Sequence, residues 1–219
     1  MENQRHLMRM DLLSNRSIKS LSSSFDNLPS TNHKDGQYRL RRYSQVELLM
    51  ERKADSSRRL GLKVLPINTF EQGSDYNDFQ GDVERTFEQI EDSTIYSEGM
   101  KELILLFKDI NRLSVGTAID IHQMRVITLH DDTQVSPEGV HRDGYDCISM
   151  VGMSRHNVAG GHLLVYSDKD GDYFLSIPLK AGQVVTLDDS KLWHNASPIQ
   201  PVDPSKAGYI DAFILTARL

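Results

Sequence analysis

The chain is poor in the features that mark secreted, membrane-bound and nucleic-acid-binding proteins. One cysteine, Cys147, in 219 residues excludes an internal disulfide framework and is typical of a reducing compartment. No apolar run approaches the roughly 18 residues of a membrane span, and residues 1–16 lack the apolar segment of a secretory signal. The net charge of −6 argues against nucleic acids and anionic membranes as partners. We therefore expect a cytoplasmic protein.

Hydrophobic residues are also scarce, at 38% of the chain, and much of the shortfall lies in the first third. Residues 1–36 are rich in serine, asparagine and basic residues. Apart from one short amphipathic helix near residues 8–13, we expect this polar segment to be partly flexible or laid over the surface. Residues 37–219 are predicted to form a single domain.

The hydrophobic pattern changes from helical to strand-like after Gly116. Residues 97–113 carry apolar side chains at spacings of three and four, which predicts a helix, whereas the polar residues 82–91 predict a second one less clearly. From residue 118 onward, short strand-like runs alternate with turn sequences, which is typical of an all-β sandwich or barrel. The predicted fold is therefore mainly β with flanking helices, one of which packs on a sheet from outside.

The most informative motif is His141-Arg142-Asp143, taken together with His194. On a β-strand, residues i and i+2 point to the same face, so His141 and Asp143 are predicted to hold one metal ion from one side. A histidine on a neighbouring strand, His194, is expected to supply a third ligand. Two histidines and one carboxylate that leave the opposite positions open suit non-haem Fe(II) that activates O2.

Two other His-x-Asp triplets compete with this one. With 8 histidines and 31 acidic residues in 219, chance alone predicts about one triplet of the form His-x-Asp or His-x-Glu. His33 lies in a polar segment without strand pattern, and His130 opens an acidic loop. The triplet at His141 leads directly into an apolar, strand-like run at residues 145–151. We therefore expect a sheet to hold that triplet rigidly.

Basic residues cluster early in the predicted domain. We interpret most of them as a solvated face, with the alternative that one or two arginines turn inward to bind a small anion. Residues 37–43 alternate as a strand does. The alternation places Arg42 on one face and Arg39 and Arg41 on the other.

A series of sequence pieces, in order along residues 37–219, is more specific than any single motif. The pieces are residues 38–44, 70–73, 122–126, 137–145, 155–161 and 193–198, with Asn77 and Gly81 between them. Together they resemble the bacterial Fe(II)/2-oxoglutarate dioxygenases related to L-isoleucine hydroxylase. The resemblance implies a double-stranded β-helix (jelly-roll) core, the cofactors Fe(II), 2-oxoglutarate and O2, and His141, Asp143 and His194 as iron ligands. It also implies hydroxylation of a free L-amino acid or close derivative, with release of succinate and CO2.

One position departs from the pattern of these enzymes. They usually hold the distal carboxylate of 2-oxoglutarate with a basic residue on the last core strand, and in this branch an Arg-Asp pair is expected where the chain has Ile210-Asp211. Because isoleucine cannot pair with a carboxylate, the anchor is expected elsewhere. Arg125, in the first core strand, is the preferred candidate, with an ion pair to a nearby Asp or to the substrate carboxylate as its alternative role. Arg218 is the second candidate.

Arg42 and His162 are the candidates for contacting the substrate. Arg42 is expected to reach over the mouth of the site to the substrate carboxylate, and His162, just after a glycine pair, is expected to face the pocket. The alternative function, suggested by Ile210, is a catalytically altered jelly-roll that binds metal and has a regulatory or binding role. A cupin-type metal enzyme is a third interpretation, although such sites more often use three histidines and a glutamate.

Overall fold

The computed structural model describes residues 6–52, 58–130 and 132–219. The helices are α1 (Asn15–Ser22), α2 (Asp92–Ile95) and α3 (Glu98–Asn111), with a 3-10 turn at Ser23–Phe25. The strands are β1 (Met8–Leu12), β2 (Arg39–Arg52), β3 (Arg58–Val64), β4 (Thr69–Phe70), β5 (Arg85–Thr86), β6 (Ala118–Thr128), β7 (Cys147–His156), β8 (Val158–Gly160), β9 (His162–Tyr166), β10 (Tyr173–Pro178), β11 (Gln183–Leu187), β12 (Trp193–Ala196), β13 (Ile199–Pro201) and β14 (Gly208–Ala217). Within the described ranges, every helix is too short or too polar to cross a membrane.

Two antiparallel sheets form the body of the protein. The large sheet has the strand order β1-β11-β7-β14-β6-β2-β3, and a smaller sheet has the order β10-β9-β12. Ile148 and Val185 from the large sheet pack against Leu163 and Val165 of the smaller one, so the apolar interior lies between the two sheets. Two sheets that pack face to face around a shared apolar interior form a sandwich. The predicted mainly β jelly-roll is confirmed.

Helix α3 covers the outer face of the large sheet, as predicted. Ser97 caps its first turn by accepting the backbone N–H of Met100 at 3.1 Å, which satisfies one of the free donors at a helix N-terminus. The apolar stripe that contains Leu103 and Phe107 is buried. It packs in one cluster with Ile121, an odd-numbered residue of β6. Even-numbered residues of β6 therefore face the opposite side, toward the interior between the sheets.

The N-terminal segment differs from the sequence expectation. Residues 8–12 form a strand that pairs with β11, and the predicted amphipathic helix at this place is wrong. Leu13, Leu21 and Phe25 are buried in the same cluster as α3. One hydrophobic cluster therefore contains residues from both sides of the expected boundary at residue 36. The predicted helix at residues 82–91 is also wrong, because that stretch holds only the short strand β5 before α2 begins.

The register of the large sheet decides which side chains share the interior. β14 lies between β6 and β7, and Ile210 is opposite Val126 on one side and Arg155 on the other. Toward the other end of the same strand, Ile214 is opposite His122 and Met150. The side chains that share the interior therefore form rows across β6, β14 and β7, with Ile210 near the start of β14 and Ile214 nearer its end.

Candidate functional site

His141, Asp143 and His194 meet at one wall of the space between the sheets. Their potential ligand atoms all lie within 4.8 Å of one another. The backbones of His141 and His194 exchange N–H···O=C bonds of 3.0 and 2.9 Å, so the two residues lie directly opposite each other. The Nε2 atoms of His141 and His194 are 3.6 and 3.7 Å from the two carboxylate oxygens of Asp143. The structure thus brings together the three residues that the sequence pattern singled out.

Asp143 is held in place by hydrogen bonds to Asp189 and not, as was expected, by a β-strand. β7 begins only at Cys147, so Asp143 lies outside the strand that was predicted to carry it. The backbone N–H groups of Asp143 and Tyr145 each donate to Asp189 Oδ2 at 3.0 Å. Asp189 is buried, and its Oδ1 is 3.8 Å from His194 Nδ1. One buried carboxylate therefore organises the loop that carries Asp143 and contacts the ring of the distant histidine.

The side chain of Asp143 has a second support. Gln72 Nε2 donates to Asp143 Oδ1 at 2.7 Å. The other end of the same amide is fixed, since Gln72 Oε1 accepts from Asn77 Nδ2 at 2.9 Å and from Arg85 Nη2 at 3.3 Å. Partners of this kind set the orientation of a metal-binding carboxylate.

The two histidines differ in how readily each offers a lone pair to a metal ion. His141 Nδ1 is 2.9 Å from the carbonyl oxygen of Gly139, so Nδ1 carries the hydrogen and Nε2 faces Asp143 with its lone pair when the ring is neutral. Burial, and next the charge of His141, lower the pKa of His194 to about 4. Burial alone would lower the pKa of His141, but its contacts with Asp143 outweigh burial and raise the pKa to about 9. Metal binding at His141 therefore displaces a proton.

This donor set fits Fe(II). Two imidazole nitrogens and one carboxylate on one side of a cavity, with the other side open, match the ligand type and geometry of non-haem iron sites. The competing triplets do not reproduce it in the part of the chain that is described. His33 Nε2 is 2.9 Å from the carbonyl oxygen of Thr86, and His130 is exposed.

The cavity beside these residues is lined by three buried arginines, Arg39, Arg41 and Arg85. Arg39 is neutralised, because its Nη1 lies 2.7 Å from Asp35 and 3.1 Å from Glu138. The alternative interpretation, that one or two of the clustered arginines turn inward, therefore describes Arg39 and Arg41. Arg85 comes from β5, far from that cluster in sequence.

Arg41 and Arg85 lack a carboxylate partner among the described residues. The hydrogen bond of the Arg41 guanidinium goes to the sulfur of Met124 at 3.6 Å, and its Cζ lies 5.3 Å from the centre of the Phe87 ring. Arg85 donates to the Gln72 amide. Burial, and next the charge of neighbouring Arg39, lower the pKa of Arg41 to about 9. A buried cation without a counter-charge is costly, so this wall of the cavity favours an anion.

The residues expected to contact the substrate do not reach this cavity. Arg42 Nη1 lies 2.8 Å from Glu88 Oε2 and also donates to the carbonyl of Gln89 at 3.1 Å. It faces away because β2 turns its odd-numbered residues inward. His162 Nδ1 is 3.1 Å from Ser176 Oγ, and its side chain lies outside the cavity lining. Both expectations are corrected by the direction of the strand faces.

Neither expected anchor for 2-oxoglutarate lines the cavity. Arg125 is an odd-numbered residue of β6 and forms a two-pronged ion pair with Asp211 at 2.6 and 2.8 Å, which is the alternative role considered for it. Arg218 stacks over the ring of Tyr145, with its Cζ 4.6 Å from the ring centre. Its position next to Tyr145, at the start of β7, puts it outside the cavity lining.

Gln72, Arg85 and Asp189 also support the site and were not predicted from the sequence. Gln72 belongs to one of the sequence pieces that carry the family resemblance, so its position was marked although its contact with Asp143 was not. Arg85 and Asp189 had no signal, because each reaches the site through pairing with segments distant in sequence.

Comparisons with known proteins agree with this geometry. A profile of the family described as 2OG-Fe dioxygenase matches residues 22–216. The chain is similar to a BsmA homologue from Methylobium petroleophilum, with 25% identity, a TM-score of 0.76 and coverage of 93% of this chain and 81% of that one. It shares its fold with IDO from Bacillus thuringiensis, at 18% identity and a TM-score of 0.70 over 95% and 88% of the two chains. No curated protein sequence matches.

A third structure of the same fold is the Fe(II)/α-ketoglutarate-dependent dioxygenase TqaL, at 13% identity and a TM-score of 0.71 over 97% of this chain and 82% of that one. The family profile spans nearly the whole chain, and the donor set of His141, Asp143 and His194 fits the metal that this family uses. The chain therefore belongs to the 2OG-Fe dioxygenase family, as an enzyme that uses Fe(II), 2-oxoglutarate and O2.

Proposed function

We propose that this enzyme hydroxylates a free L-amino acid or a close derivative, with His141, Asp143 and His194 as the iron ligands. The observation that carries the proposal is the pair Arg41 and Arg85, which are buried in the wall of the cavity beside the three ligands and lack a carboxylate partner among the described residues. The planar guanidinium matches a carboxylate in shape and in hydrogen-bonding pattern. The carboxylate of an amino acid supplies the missing counter-charge.

A polar contact in the same cavity supports an amino acid over a simple carboxylic acid. Burial opposes ionisation of Glu138, but the charge of Arg39 lowers its pKa to about 2, so this carboxylate is ionised. Its Oε1 accepts from Arg39, whereas Oε2 contacts the hydroxyl of Ser136 at 3.3 Å. An ammonium group beside the bound carboxylate finds a negatively charged acceptor there. The resemblance to L-isoleucine hydroxylases supports an aliphatic side chain.

When bound, Fe(II), 2-oxoglutarate and O2 supply oxidising chemistry that converts 2-oxoglutarate to succinate and CO2 and places one oxygen atom in the substrate as a hydroxyl group. The protein residues position the reactants. Arg85 is separated from Asp143 by a single side chain, that of Gln72. A carboxylate bound by Arg85 would therefore lie near the proposed iron ligands, with the rest of the substrate in the cavity beside them.

The test is succinate release measured over a panel of L-amino acids, each paired with its carboxamide, in which the carboxylate charge is removed. An aliphatic L-amino acid is expected to stimulate succinate release and its carboxamide is not. Arg41→Met and Arg85→Met are expected to raise the KM for the amino acid about 10–100-fold, since a charge-assisted hydrogen bond contributes about 1.5–3 kcal/mol. The KM for 2-oxoglutarate should stay within about threefold of wild type.

Arg9→Met is the matched control, because Arg9 pairs with Asp11 on an exposed part of β1. It should leave both constants at their wild-type values. The proposal is wrong if both cavity variants keep the wild-type KM for the amino acid, or if the carboxamide is as good a substrate as the acid.

A further inference from the structure

The residue opposite Ile210 on the neighbouring strand is an arginine. In the antiparallel pair of β14 and β7, Ile210 is in register with Arg155. Directly opposed residues of such a pair have Cβ atoms about 4.5–5.5 Å apart and point to the same face of the sheet. An arginine on the adjacent strand therefore lies beside the position where the family pattern expects one on β14.

Arg155 lines a second cavity, which adjoins the one beside the proposed iron ligands. This second cavity contains Ile210 and Arg155 in its wall. The two cavities share lining residues: Met124, Val135, Met150, Leu163, Ala196 and Ile214. The shared wall is apolar. A ligand that reaches from the iron site across this apolar boundary would meet the arginine.

The guanidinium of Arg155 is oriented but not neutralised. Its Nη1 donates to the carbonyl of Gly161 at 3.1 Å and its Nη2 to that of Gly160. No carboxylate in the described part of the chain pairs with it, and burial lowers its pKa. Asp211, which lines the same cavity, forms its ion pair with Arg125 and not with Arg155. A guanidinium has five N–H donors, so several remain for a ligand.

The two glycines make room for this arrangement. Gly160 and Gly161 have φ values of +75° and +62°, which glycine adopts without strain. A Cβ at Gly161 would lie 2.6 Å from the side chain of Ile199 and 3.3 Å from Arg155 Nη1. The turn therefore presents its carbonyls to the guanidinium without a side chain between them.

We propose that Arg155 binds the distal carboxylate of 2-oxoglutarate, in place of an arginine at Ile210. 2-Oxoglutarate is a dicarboxylate whose 2-oxo acid end chelates iron, which leaves the second carboxylate to be bound by a cation. Arg155 offers a cation without a carboxylate partner among the described residues, in the cavity that adjoins the iron site, whereas Arg41 and Arg85 lie on the side that we assign to the substrate. This inference rests on the co-substrate of the family, and it holds whether or not the substrate is an amino acid.

The experiment compares 2-oxoglutarate with 2-oxopentanoate, which has the same carbon chain and a methyl group in place of the distal carboxylate. Dissociation constants are measured without O2, from the visible charge-transfer absorption of the Fe(II)–2-oxo acid complex. Wild-type protein is expected to bind 2-oxoglutarate about 10–100-fold more tightly than 2-oxopentanoate, the range of a charge-assisted hydrogen bond. Arg155→Met should lose that preference by weakening 2-oxoglutarate alone.

Two further variants separate binding from a structural role. Arg155→Lys keeps the charge but not the fork, so it should retain part of the preference. The double variant Arg155→Met with Ile210→Arg returns the arginine to β14 and should recover 2-oxoglutarate binding. Unchanged 2-oxoglutarate affinity in Arg155→Met overturns the proposal, as does an equal loss for both ligands in Arg155→Met and Arg155→Lys. If 2-oxoglutarate affinity falls in Arg41→Met or Arg85→Met and not in Arg155→Met, those two arginines bind the distal carboxylate. The assignments of both the 2-oxoglutarate anchor and the substrate carboxylate are then wrong.

Discussion

Asp143→Ala is expected to abolish iron-dependent succinate release while leaving the fold nearly intact. The carboxylate faces Nε2 of both histidines, and its removal leaves two neutral ligands for a divalent ion. Substitution of residues that merely hydrogen-bond to metal ligands already lowers metal affinity about 10–100-fold, so loss of the ligand itself should cost at least as much. Iron affinity is measured by anaerobic titration, and folding by circular dichroism and thermal unfolding.

The matched control for this variant is Asp132→Ala. Asp132 is the exposed acid of another His-x-Asp triplet, and its removal should change neither iron affinity nor turnover. Wild-type activity in Asp143→Ala would show that the assignment of the iron ligands is wrong. A loss of activity in both variants would show that the effect does not depend on this site.

Asp189→Ala is expected to lower iron affinity about 10–100-fold, although Asp189 is not proposed as a ligand. Its Oδ2 accepts the backbone N–H groups of both Asp143 and Tyr145. Without that acceptor the loop that carries Asp143 loses its fixed position. The two part-buried donors also go unsatisfied, which should lower the free energy of unfolding by up to about 1–3 kcal/mol for each donor left without a partner. Anaerobic iron titration and urea unfolding measure the two effects.

Two variants separate this role from general destabilisation. Asp189→Asn keeps one side-chain oxygen that accepts both N–H groups, so it should recover most of the iron affinity. Asp188→Ala removes the neighbouring buried carboxylate, which accepts from the hydroxyl of Ser190. It should reduce stability and leave iron affinity unchanged. Iron binding as tight as wild type in Asp189→Ala would show that the loop around Asp143 is held by other contacts.

The identity of the proposed ligands was readable from local sequence because the competing triplets differ in context. His141 and Asp143 precede an apolar run that becomes β7, whereas His33 and His130 lie in polar segments. Their geometry was only partly predictable. Asp143 lies outside the strand expected to carry it, and its position depends on Asp189, a contact between residues 46 positions apart.

The arginines show a second limit of local reasoning. Alternation along β2 correctly separated Arg42 from Arg39 and Arg41, because successive side chains of a strand point to opposite faces. Alternation does not say which face is inside. That choice depends on the pairing of β2 with β6, which puts Arg41 in register with Met124. The inward face therefore carries Arg41, and Arg42 pairs with Glu88 instead.

The sequence by itself determined the fold class, helix α3, the family and the three proposed iron ligands. Each depends on a pattern that repeats or persists locally: the spacing of apolar side chains, the order of short motifs, and a triplet beside a buried strand. Only the tertiary structure decided which arginines face the cavity, that Asp189 holds Asp143, and that Arg155 lies opposite Ile210. The physical reason is that strand pairing brings together residues that are distant in the chain, and the partner of a strand is set by the packing of the whole sheet.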